Sequence, residues 1–129
     1  MQIVEKFDNI SDWFWIIVEE VRGGRDKLES ILMQMTKEEL LRFAFEFDNA
    51  ALFFRDTEYV SQMGTVSEDT VEDISNWIVS RNKDYALDIL ANPHKISEID
   101  AIDFTHDVSP VAGIVFLKRF NELPDRLSE

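Results

Sequence analysis

Thr36-Lys37-Glu38-Glu39 is the feature that most limits what this chain can become. Thr followed three residues later by Glu is the signature of a capping box. The hydroxyl and the carboxylate there reciprocally satisfy backbone donors that an α-helix leaves open at its start. Behind the box, Leu40, Phe43, Phe47, Ala50, Ala51 and Phe54 recur at the three- and four-residue spacing of one helical face. A sheet would need period-two alternation, and none competes over any length.

The same grammar repeats along the chain. Ser11 is placed to cap a first helix with Asp12 in its opening turn, and Gly23-Gly24 stops it. Trp13, Ile16, Ile17 and Val21 form its predicted stripe, extended by Phe14. Leu28, Ile31, Leu32 and Met35 mark a short second helix from Arg25. The capping-box helix is predicted to run over residues 37–63, with a bend at Asp48-Asn49 and Val60 continuing its stripe, up to Gly64. Ser67 caps the next, where Val71, Ile74, Trp77 and Ile78 face inward onto Phe43, Phe47 and Phe54. Asn82 is placed as a left-handed helix end. Tyr85, Leu87, Ile89 and Leu90 make another helix, halted at Asn92-Pro93. A short helix or turn follows over residues 94–102. Ser109 as cap with Pro110 at the first helical position opens the last helix, which carries Val111, Ile114, Val115, Leu117 and Phe120 as far as Leu123. The expectation is an all-α, compact single-domain bundle of about six helices spanning residues 1–129, with 124–129 as a frayed tail.

Charge narrows the function. The chain carries 26 acidic and 13 basic residues, for a net of −13. Polyanionic nucleic acids and anionic membrane surfaces are poor partners for such a chain. The N-terminus reads as neither a signal peptide nor a membrane span, so a cytoplasmic location is expected. Without cysteine there is no disulfide, no thiolate nucleophile and no Cys-ligated metal.

Motifs for catalysis are missing. The glycines form no phosphate-binding loop, and no serine is expected in a GxSxG elbow or an S-x-x-K context. His94 and His106 belong to neither HExxH nor the ExxH pattern of di-iron bundles, and the Asp103–His106 pair alone makes no metal site. Glu68-Asp69 and Glu72-Asp73 lie one turn apart, but without the ligand pattern of a calcium loop. No catalytic residue, cofactor or metal is therefore expected. Trp13, Phe14 and Trp15 are consecutive on one helix, so two can face the core and the third must find other cover. Phe45 lies off the main stripe of its helix.

The acids are segregated. Between Ala44 and Asn76 there are eight, opposed only by Arg55, and Glu98, Asp100, Asp103 and Asp107 form a second group. Interspersed charges would serve solubility equally well, so the segregation points to a contact face for a basic partner. The candidate contacts are Glu46, Asp48, Glu58, Glu68, Asp69, Glu72, Asp73, Glu98, Asp100, Asp103 and Asp107.

In motif order the chain resembles a bacterial domain-of-unknown-function family, number 4240. The resemblance covers about residues 11–99 and rests on four stretches. They are the Trp/Phe-rich helix from Asp12 to Glu20, Gly64-Thr65-Val66-Ser67-Glu68-Asp69, Trp77-Ile78-Val79-Ser80-Arg81-Asn82, and Ala91-Asn92-Pro93. Asn82 stands where the family has Gly, and Ile74-Ser75 stands where it has an aromatic-Arg pair. The resemblance implies an all-helical bacterial domain and carries no activity.

Size, charge and the lack of catalytic motifs together suggest a non-enzymatic immunity protein or antitoxin. Such a protein would occlude the cationic cleft of a cognate toxin, a nuclease in the first instance. A regulatory or scaffold domain is one alternative; a metal hydrolase built from converging carboxylates is another, of a different class.

Overall fold

A computed structural model describes Phe7, residues 9–99 and residues 102–121. Its elements are α1 (Asp12–Val21), α2 (Arg25–Leu32), α3 (Lys37–Leu52), α4 (Thr57–Val60), α5 (Glu68–Arg81), α6 (Lys83–Ala91) and α7 (Val111–Phe120). Short 3-10 turns cover Phe53–Arg55, Ser61–Met63, Pro93–Glu98 and Phe104–His106. The described residues contain no strand, so the all-α expectation holds. Seven α-helices among them exceed the six expected. No described helix is long and apolar enough to cross a membrane.

The caps read from the sequence form. Ser11 Oγ accepts the Phe14 amide, and the Thr36–Glu39 box closes in both directions, with Glu39 Oε1 accepting the Thr36 amide at 2.9 Å. Ser67 Oγ accepts the Thr70 amide. Behind the box every expected stripe residue from Leu40 to Phe54 is buried. That face makes α3 the central element, packed against α5, α7 and α1. Ile74, Trp77 and Ile78 are all buried, and the Trp77 ring lies edge-on to Tyr85.

Five local readings need correction, one of them the stripe of α7, where Ile114 and Leu117 are exposed and Ala112 and Phe116 are buried instead. The long helix does not run to residue 63. It continues unbroken through Asp48-Asn49, ends at Leu52, tightens into a 3-10 turn and stops at Asp56, whose backbone is extended. The break turns Phe54 and Tyr59 inward, leaving Val60 half-buried; the Tyr59 hydroxyl donates to the Leu90 carbonyl at 3.0 Å. In α1, Ile16 is 65% exposed while Trp15 and Val18 are buried. The Trp15 indole turns towards Phe7, whose ring centroid is 5.6 Å away.

Asn82 is extended (φ 175°), not left-handed. With one residue joining α5 to α6, it serves as the cap of α6, its Oδ1 accepting the Tyr85 amide at 2.7 Å. Before α7 the capping residue is Pro110 itself, and the Ser109 amide donates to Asp107 Oδ1, so a carboxylate organises this turn. α7 ends at Phe120 with Asn121 left-handed (φ 54°). The expected extension to Leu123 and the tail at 124–129 lie outside the described residues.

Candidate functional site

The candidate acids fall into three groups. Glu68, Asp69, Glu72 and Asp73 are exposed over the first two turns of α5. Asp48, half-buried on α3, and Asp107, buried before α7, lie within electrostatic range of them. Burial pushes the Asp48 carboxyl above its ordinary range; Arg55 opposes this and Glu72 adds to it. Burial likewise raises Asp107, opposed by its Ser109 hydrogen bonds and by Arg25, with Asp73 adding to the rise. Acids from three separate segments thus share one field. Asp103 is close by in chain and fold, since the Phe104–His106 turn packs on α5. Its Oδ1 accepts the Thr105 amide and hydroxyl, which hold the carboxyl below the usual range.

Glu58 and Glu98 are exposed on a different pair of neighbours, α4 and the Pro93–Glu98 turn. Asp100 lies outside the described residues. Glu46 is buried and already occupied. Its Oε1 accepts the Ser11 amide at 2.7 Å, and its Oε2 accepts the Ser11 hydroxyl and Arg42 Nε at 3.0 and 2.9 Å.

The cations nearest the shared field, Arg55 and Arg25, act on Asp48 and Asp107 through space while their hydrogen bonds go to neutral groups. Arg55 donates to Ser75 Oγ and Asn76 Oδ1, and Arg25 donates to the Asp107 and Phe104 carbonyls. Neither caps an exposed α5 carboxylate by a hydrogen bond or close ion pair among the described residues.

Both histidines are exposed, His94 3.8 Å from Glu98 and His106 4.0 Å from Asp103. Among the described residues no three His, Asp or Glu side chains gather as a metal-holding group. Against the expectation of no S-x-x-K context, Ser80-Arg81-Asn82-Lys83 does carry that spacing of a serine nucleophile with a lysine base. The fold separates the pair. Ser80 is buried, with Oγ donating to the Asn76 carbonyl and accepting the Val108 amide, while Lys83 lies on the next helix, 4.0 Å from Asp12.

Two cavities stand out. A polar one of about 280 Å³ lies at the C-terminal ends of α1 and α5, lined by Arg22, Arg81, His106 and Glu19 among others. A more open, apolar groove of about 690 Å³ is lined by Ile10, Phe45, Leu52 and Phe53, and it explains why Phe45 leaves the stripe half-exposed. Of the aromatic triplet, Phe14 and Trp15 are buried. Trp13 takes its cover from the Arg42 guanidinium, 4.5 Å above its ring.

Asp107 supplies a stability test. Its carboxyl is harder to ionise in the folded state than in the unfolded chain, so ionisation opposes folding at neutral pH, and the opposition fades as pH falls through the folded pKa. Asp107→Asn keeps an oxygen for the Ser109 amide and removes the charge. The variant is expected to be more stable than the parent at pH 7, with the gain shrinking towards pH 4. Urea unfolding at several pH values measures this; an unchanged or reduced stability at pH 7 would contradict it.

No family model, curated protein or solved structure matches the chain.

Proposed function

We propose that this is a non-catalytic protein-binding domain whose α5 acidic face docks a basic protein, in the manner of an immunity protein or antitoxin that occludes the cationic cleft of a nuclease. The observation that carries the reading is electrostatic. Four exposed carboxylates on α5, with Glu72 in electrostatic contact with Asp48 and Asp73 with Asp107, face only two nearby arginines, Arg55 and Arg25. The negative excess attracts cationic surfaces over a distance and speeds their encounter. Asp103 adds to it from the turn packed on α5. Glu46 is outside this face. Membership of family 4240 is proposed on the motif order alone.

The test is association kinetics with the partner captured from the native host. Reversing Glu68, Asp69, Glu72 and Asp73 to Lys is expected to slow association by about 10–100-fold at low salt while dissociation changes less. Raised ionic strength should mimic the effect in the parent, because exposed charges are screened beyond about 10 Å at 0.1 M salt. Ser67 keeps its cap, and thermal melting checks that the reversed protein folds. An acidic partner, or an association rate indifferent to salt and to reversal, refutes the proposal.

A further inference from the structure

The polar cavity at the ends of α1 and α5 borders the acidic face at His106, 4.0 Å from Asp103, but its own lining carries the opposite charge. Six arginines are described. Arg25 and Arg119 donate to backbone carbonyls, Arg42 to Glu46, and Arg55 to Ser75 and Asn76. The two whose guanidinium makes no hydrogen bond or close ion pair among the described residues are Arg22 and Arg81, and both line this one cavity. In a chain with twice as many acids as bases, unpaired guanidinium groups are the unexpected state. Their convergence in a single hollow is more unexpected still.

The geometry prepares both for a ligand. The Arg81 guanidinium carbon lies 5.1 Å from the Trp77 ring centroid and 5.4 Å from that of Tyr85, so cation–π contacts hold the group while its N–H groups stay uncommitted. Arg22 closes α1 as its left-handed C-cap (φ 48°), its amide donating to the Val18 carbonyl. Gly23 (φ 77°) lets the backbone close on His106: a Cβ there would meet the His106 Cβ at 3.0 Å. His106 and Asn82 complete the wall with further polar groups.

Two helix C-termini point at the cavity, and their carbonyls disfavour an anion. Two arginines outweigh that, and neither is spent on those carbonyls, as Arg25 and Arg119 are on theirs. Glu19 tempers the charge. Two arginines against one glutamate leave the lining with a positive excess inside a chain at −13.

We infer that this cavity binds a small oxyanion, a phosphate group or one of similar size and charge, between the Arg22 and Arg81 guanidinium groups. A planar guanidinium offers paired N–H donors that match the oxygens of such a group. The volume of about 280 Å³ admits a phosphate with a short carbon skeleton and nothing of polymer size.

The experiment is an NMR titration of the full chain with inorganic phosphate at constant ionic strength, chloride making up the balance, read at the Gly23 and Asn82 amides. Saturable shifts confined to the cavity are expected. Arg22→Gln and Arg81→Gln should each weaken binding by about tenfold or more, while Lys27→Gln, on α2 outside the cavity, should not. Arg22→Gln removes no internal hydrogen bond, so it keeps the test valid if loss of the Arg81 cation–π contacts proves costly to folding. Shifts that stay linear past about 10 mM phosphate, roughly ten times a millimolar Kd, overturn the inference. So do saturable shifts that both glutamine variants leave unchanged.

Discussion

Phe14→Ala is expected to lower the unfolding free energy by about 3–5 kcal/mol, the range of large-to-small aromatic truncations in cores. Phe14 has no exposed surface. Its ring centroid lies 5.1 Å from Phe43 and 5.9 Å from Phe47, so the side chain joins α1 to the central helix through two rings, with Trp15 of its own helix 5.0 Å away. Removing it forfeits the transfer free energy of the ring and leaves a void that rigid aromatic neighbours fill poorly. Its neighbour Trp13 is half-buried beneath Arg42, and Trp13→Ala should cost distinctly less. Denaturant unfolding of both variants measures the difference. A loss below about 1 kcal/mol for Phe14 would mean that α1 is not fastened to α3 through this ring.

Elements whose signals are local were legible in the sequence. The Thr36–Glu39 box, the Ser11 and Ser67 caps and the Leu40-to-Phe54 stripe each depend on residues within a few positions, and all form. Two of the misreadings were settled by something distant in the chain. Helical spacing alone favoured Ile16, but the Phe7 ring on a separate segment draws Trp15 inward instead. Asp48-Asn49 weakens a helix in isolation; packing of α3 on three neighbours overrides that weakness, and the break falls where Phe54 and Tyr59 must both reach the core. Asn82 suits a left-handed end as well as an N-cap. Only the immediate start of α6 decides between them.

For the candidate site, the sequence could count the acids but could not arrange them. It listed 46–73 and 98–107 as two clusters. In the fold α5 draws Asp107 of the second towards Asp73 of the first, while Glu58 and Glu98 gather elsewhere. Nor could charge counting find the polar cavity, since Arg22 and Arg81 are 59 positions apart and each reads alone as a helix-ending cation. A hint was present in the slightly basic composition of residues 77–95. Its meaning depended on which cations already had partners, and that is a property of three-dimensional contacts.

Glu46 shows the same limit from the opposite side, and it supplies the second large effect. By composition it belonged with the partner-binding acids; in the fold its carboxylate organises the start of α1 from 35 residues away. Ser11 caps α1 by accepting the Phe14 amide, and Glu46 in turn accepts both the Ser11 hydroxyl and the Ser11 amide, so the cap is itself oriented by a charge on α3. Arg42, one turn earlier on α3, balances that charge and covers Trp13. Glu46→Ala leaves the Ser11 amide without its acceptor and Arg42 without its carboxylate, and it loosens the cap. Hydrogen bonds to charged groups contribute about 1.5–3 kcal/mol, so a loss of about 2–3 kcal/mol is expected. Glu46→Gln should cost less, because an amide oxygen can still accept from Ser11. Glu72→Ala, on the exposed face of α5, should fall within about 0.5 kcal/mol of the parent. In partner binding the order should reverse, with Glu72 affecting the association rate and Glu46 leaving it unchanged in protein that remains folded. Unfolding and association measurements on the three variants separate an acid that holds the fold from acids that face outward. A Glu46→Ala protein as stable as the parent would dissolve that distinction.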